Sequence, residues 1–76
     1  MDVIKSFANE TMRFIETGTL NDNYYVILVK ESLTPVVTIH ASSLHVLNGQ
    51  FDSVNYFIVG LQTYNHFVRL SGNEYN

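Results

Sequence analysis

The chain has 76 residues, 46% of them apolar and 14% charged, with a net charge of −3 and no cysteine. That length makes residues 1–76 one domain, and the absent thiols exclude disulfides, Cys-ligated zinc, iron–sulfur clusters and thiol nucleophiles. Its four basic residues, Lys5, Arg13, Lys30 and Arg69, form no stripe, so neutralisation of a duplex DNA backbone is excluded as a role.

At the N-terminus, Asp2, Lys5, Glu10 and Arg13 interrupt any secretory h-region. Two readings of residues 2–16 stand side by side. Ile4, Phe7, Ala8, Thr11 and Ile15 recur at helical spacing with Asp2 as a cap, which predicts an amphipathic helix. Alternatively, Val3–Ala8 and Met12–Thr19 form two strands turned at Asn9-Glu10. The helix is the preferred reading for the first dozen residues, with Arg13–Leu20 entering the sheet.

Asn21-Asp22-Asn23 is a turn signal, preceded by Gly18. Tyr24–Glu31 then predicts a strand, with Tyr24, Val26, Leu28 and Lys30 on one face and Tyr25, Ile27, Val29 and Glu31 on the other. Apolar residues on both faces make it a central strand. Tyr24 and Tyr25 cannot both face inward, so one of them meets solvent, the helix or a partner. The apolar run Tyr24–Val29 is too short to span a bilayer, and no membrane role is expected.

Ser32-Leu33-Thr34-Pro35 is a turn, and Pro35 opens the next strand, Val36–Ala41, where its missing N–H does little harm. Leu44–Leu47 predicts a further short strand or turn, closed by Asn48-Gly49. Ser42 and Ser43 satisfy backbone at a kink or cap a short turn. From Val54 to Val68, apolar residues at i, i+3, i+4 and i+7 predict an amphipathic helix. Asp52 or Ser53 would cap it, with Phe51 and Tyr56 as a hydrophobic staple and Gly72 as terminator. Gly60 inside it would let another element approach closely, and Val59 would fall on the exposed side. Ser71–Asn76 reads as a loose tail. The fold class is therefore α+β: an antiparallel sheet of three to five strands with the C-terminal helix packed on it, and an N-terminal helix as one reading.

Chemistry-bearing patterns are sparse. His40, His45 and His66 show no metal-ligand spacing, and no nucleophile elbow, carboxylate pair or phosphate-binding glycine loop is present. No cofactor, metal or catalytic residue is expected, and the protein reads as a non-enzyme. The charged fraction is well below the roughly 25% of an average globular chain, so apolar and aromatic surface stays exposed for a partner. Tyr and Asn, five and eight residues here, serve recognition surfaces well. The candidate binding residues are Tyr24, Tyr25, His40, His45, Val59 and His66. The function read from these features is a small cytoplasmic protein-interaction module that oligomerises, or binds and modulates a larger protein. Codon-related bias toward Asn, Tyr, Phe and Ile points to a phage- or mobile-element-encoded regulator or inhibitor of a host protein.

One segment carries a family resemblance. Asp22-Asn23-Tyr24, then Val26 and Leu28, then Thr38-Ile39-His40-Ala41 followed by Ser43, resembles the strand entry and H-A-x-S segment of Sm-like barrels of the bacterial Hfq type. The resemblance covers residues 22–47, about a third of the chain. It implies a five-stranded open barrel in a ring oligomer that binds single-stranded RNA, with Tyr24 stacking on bases and His40 contacting the backbone. The chain departs from that pattern at Ile39, where the family has a basic residue, in the shortened spacing before the strand, and in its C-terminal helix. RNA is thus a partner only in this alternative reading.

Overall fold

The computed structural model describes residues 3–75, with side chains described as far as residue 70. The elements are helix α1 (Val3–Thr17), strand β1 (Tyr24–Val29), strand β2 (Pro35–His40), helix α2 (Leu44–Gln50), strand β3 (Tyr56–Gly60) and helix α3 (Leu61–Tyr75). The fold is α+β, with a three-stranded antiparallel sheet ordered β2-β1-β3 and helices at both ends of the chain.

α1 extends five residues beyond the dozen expected to be helical, so Arg13–Thr17 is helix and not sheet. What stops it is Gly18, whose φ of 65° takes the left-handed conformation that helices use to terminate. Its N–H donates to the Phe14 carbonyl at 3.0 Å. The expected cap Asp2 lies outside the described residues.

β1 is the central strand, as its two apolar faces predict. It pairs antiparallel with β2 from Tyr24↔His40 to Leu28↔Pro35, the register slipping between Ile27 and Leu28 so that Val36 has no partner across the ladder. On its other side β1 pairs with β3, from Tyr25↔Gly60 to Val29↔Tyr56. The turn between β1 and β2 holds Leu33 at φ 58°, a left-handed conformation costing an L-residue about 1–2 kcal/mol. Packing of its side chain against the Phe7–Val26–Leu28 cluster offsets that strain.

Two expectations fail after β2. Leu44–Leu47 is not a strand but the first part of α2, because Ser43 caps a helix there: its Oγ accepts the Val46 N–H at 3.3 Å. Asn48-Gly49 lies inside that helix and does not close a strand. The larger correction concerns Val54–Val68. Its first part is β3, and the helix begins only at Leu61. Phe57, Ile58 and Val59 are consecutive and all buried, a pattern that a strand covered on both faces satisfies and a one-sided helix does not. Val59 is therefore a core residue at 1% exposure, not exposed apolar surface.

Asp52 accepts the Asn55 N–H at 2.7 Å, closing a turn ahead of β3 and not capping a helix. The Phe51–Tyr56 contact forms all the same, with ring centroids 5.6 Å apart. Gly72, expected as a terminator, lies within the span of α3. Of the expected tail 71–76, the backbone to Tyr75 belongs to α3, and the side chains lie outside the described residues.

The helices cover the sheet unequally. On one face, Val26, Leu28, Phe57 and Val59 pack with Phe7 and with Leu61, Tyr64 and Phe67 of α3. On the other, Tyr25, Ile27 and Ile58 pack with Leu47 of α2, Ala41 and Phe14. β2 and β3 are both antiparallel to β1, and α2 lies in the crossover that joins them over this second face. α1 straddles the β3 edge, with Phe7 in one cluster and Phe14 in the other. Between them, Thr11 is buried and its Oγ1 donates to the Ile58 carbonyl at 3.4 Å. Both faces over β1 and β3, and the β3 edge, are thus closed. The β2 edge is not.

Candidate functional site

β2 has a sequence suited to a core strand and the exposure of a surface loop. Pro-Val-Val-Thr-Ile-His is uncharged and mostly β-branched, yet five of its residues are exposed and Ile39 is only half-buried. The phase of its backbone follows from one bond: the Ala41 N–H donates to the Asn23 carbonyl at 3.1 Å. In an antiparallel ladder alternate residues turn their N–H and C=O groups to opposite sides. Ala41 and Ile39 therefore bond toward β1, while His40 and Thr38 present theirs outward; at Val36 the register slip breaks the alternation. The same alternation on β3 directs the Ile58 carbonyl away from β1, where Thr11 meets it.

Side chains extend the site onto one face. Tyr24 lies opposite His40 in the ladder, and their rings meet edge-to-face with centroids 5.3 Å apart. Tyr24 is 51% exposed and Val36 52%. These side chains and the outward row of β2 make a continuous strip of aromatic, aliphatic and backbone hydrogen-bonding surface. Neither β1 nor β2 carries an acid or a base other than His40, so the strip can offer shape and backbone bonds but little charge.

Of the six candidate residues, the fold brings together Tyr24 and His40 and separates the rest. Tyr25 faces inward at 1% exposure and is a core residue, which corrects its assignment to a binding surface. Its hydroxyl oxygen accepts the Asp22 N–H at 3.3 Å. Burial pushes the Tyr25 hydroxyl pKa up, the nearby Asp22 charge adds to the rise, and the Asp22 N–H bond opposes it. Val59 is buried on the face packed by α3. His45 is exposed on α2, in the layer across the sheet from Tyr24, and His66 is exposed on α3 beside Phe67. Among the described residues no group of three or more His, Asp or Glu is placed to hold a metal ion.

Val36 and Thr38 complete the strip and were not singled out from the sequence. The legible signal was Pro35 at the start of an uncharged strand, since proline within a sheet marks an edge. Compared with family models, with curated proteins and with solved structures, the chain matches none. Among the described residues no helix is long and apolar enough to cross a membrane.

Proposed function

We propose that the protein is a small non-catalytic interaction module that docks through the open flank of β2. The observation that carries this reading is the asymmetry of the sheet. The β3 edge is sealed by α1 through Phe7, Thr11 and Phe14, while β2 keeps an uncharged, β-branched edge exposed. Proteins that do not use such an edge protect it with charge, proline or bulges along its length. Here proline and the register slip stand at one end only, at Pro35 and Val36. Addition of a strand is the recognition mode that an edge of this kind serves. Regulation or inhibition of a larger protein, as by a phage- or mobile-element-encoded factor, is the specific form of the proposal.

The test is capture from an extract of the native host on immobilised protein, read by mass spectrometry, for wild type, Tyr24→Ala and Thr38→Lys. Both substitutions fall on exposed side chains and leave the core intact. A protein retained by wild type and lost with both variants is the expected result. Retention that ignores both variants contradicts the assignment of the surface.

A second reading, single-stranded RNA binding, is favoured by the exposed Tyr24–His40 pair, which can stack on and contact an unpaired base. It is weakened by the lack of any Lys or Arg on β1 or β2, since phosphate affinity comes largely from basic side chains. The three-stranded sheet also differs from the five-stranded barrel that the Sm-like resemblance implies. Salt-sensitive RNA binding that is abolished by Tyr24→Ala would raise this reading above the first.

A further inference from the structure

Resting on the docking reading above, we propose that the occupant of the β2 edge is a second copy of this chain, paired antiparallel through β2 about a two-fold axis at Thr38. Thr38 and His40 turn their backbone groups outward, and Thr38 is the midpoint of the stretch from Val36 to His40. An antiparallel copy therefore sets Thr38 opposite Thr38 of the second copy, with Val36 opposite His40 at each end. The outward N–H and C=O of Thr38 pair with those of the second copy's Thr38 in that register, and Val36 and His40 flank that centre.

Three features favour a copy over a foreign strand. First, β2 has no charged side chain that would select an oppositely charged peptide, and none that two copies would set against each other. The acid nearest to it in sequence, Glu31, belongs to the turn ahead of the strand. Second, strand addition draws its specificity from pockets for alternate side chains. The recesses beside Glu10–Asn21, between Lys30 and Tyr56, and between α1 and Phe57 are lined by no residue of β2. Cross-strand packing of β-branched residues is a specificity that two copies can share, and Val36, Val37, Thr38 and Ile39 supply it on both faces. Third, the assembly closes. With the far edge sealed by α1, joining two three-stranded sheets at β2 gives one continuous sheet with no open edge. A two-fold pair then ends growth, as isologous interfaces do.

The experiment measures mass by light scattering over a concentration series for wild type, Thr38→Pro and Thr38→Lys, with mild oxidation of Thr38→Cys. Wild type is expected to rise from 8.7 kDa to twice that mass. Thr38→Pro removes an N–H that faces away from β1, and it should hold the protein at the single-chain mass with an unchanged circular dichroism spectrum. Should proline unfold the chain, Thr38→Lys places two ammonium groups across the axis without altering the backbone, and it should give the same loss.

In the proposed register the two Thr38 Cα atoms lie about 5.5 Å apart, within disulfide reach. Thr38→Cys should therefore cross-link. Because the native chain has no cysteine, the link reports on that contact alone, and Gln62→Cys on exposed α3 should form none. A wild type fixed at 8.7 kDa, or a dimer indifferent to both Thr38→Pro and Thr38→Lys and unlinked by Thr38→Cys, overturns the proposal. A monomer that still captures a host protein through Tyr24 and Thr38 overturns the dimer and spares the docking reading. A monomer that captures nothing overturns both.

Discussion

Tyr25 carries a hydroxyl into the core and satisfies it locally, accepting from the Asp22 N–H. Tyr25→Phe leaves that N–H without its partner and should cost about 1 kcal/mol of unfolding free energy, measurable by urea titration. The pH response has a fixed sign. Because burial raises the Tyr25 pKa above the ordinary value of about 10, the folded state favours the neutral phenol. The associated stability is complete below about pH 10 and is lost as pH rises toward the raised value. Wild type should therefore lose stability between neutral pH and pH 11 more steeply than Tyr25→Phe, and parallel curves would contradict this account. Gly60 is a second residue-scale case. A Cβ built there would meet the carboxylate end of the Asp22 side chain, which can turn aside, so Gly60→Ala should destabilise by only about 1 kcal/mol. In an Asp22→Ala background the cost should shrink, and the coupling of the two sites in a double-mutant cycle measures the contact. The close approach at Gly60 was legible as a glycine inside an apolar run. Its partner was not, because Asp22 is 38 positions away and only the β1–β3 pairing brings the two together.

At the scale of elements, strands β1 and β2 and helix α1 follow from local pattern, whereas β3 and α2 do not. Phe57-Ile58-Val59 fits both a helical stripe and a doubly covered strand, and sequence spacing alone does not decide between them. Burial on both sides decides it: α3 and Phe7 lie over Phe57 and Val59, while Leu47 and Phe51 of the α2 segment lie over Ile58. Those covering layers are tertiary. Asp52 misleads for a related reason, since its Asn55 N–H bond is the same first contact a helix cap would make. That bond lowers the Asp52 pKa, favouring the carboxylate. α2 has only seven residues and depends on its cap and on one buried side chain, Leu47. Ser43→Ala should cost about 1 kcal/mol, the usual loss at an N-cap, and Leu47→Ala about 2–5 kcal/mol. Both are read from thermal or urea unfolding. A Leu47→Ala protein as stable as wild type would place that residue outside the core.

At the scale of the whole molecule, three helices and one open edge mark the described residues. α1 closes the β3 side with a buried hydroxyl, so Thr11→Val, nearly the same in volume, should still cost about 0.5–1 kcal/mol by leaving the Ile58 carbonyl unmet. The uncovered surface was foreseeable in kind: too few charged residues are available to solvate the chain, and Tyr24, Val36 and Val37 are indeed exposed. Its location was not foreseeable, because it depends on which sheet edge the helices leave bare. The most direct test of the open edge is residue-resolved amide hydrogen exchange along β2 over a protein concentration series. Ile39 and Ala41, bonded toward β1, should be protected at every concentration. Thr38 and His40 should exchange freely in dilute protein and become protected as the concentration rises. Protection of Thr38 and His40 already in dilute, single-chain protein, or free exchange at the highest concentration reached, would contradict an edge that pairs with a second copy.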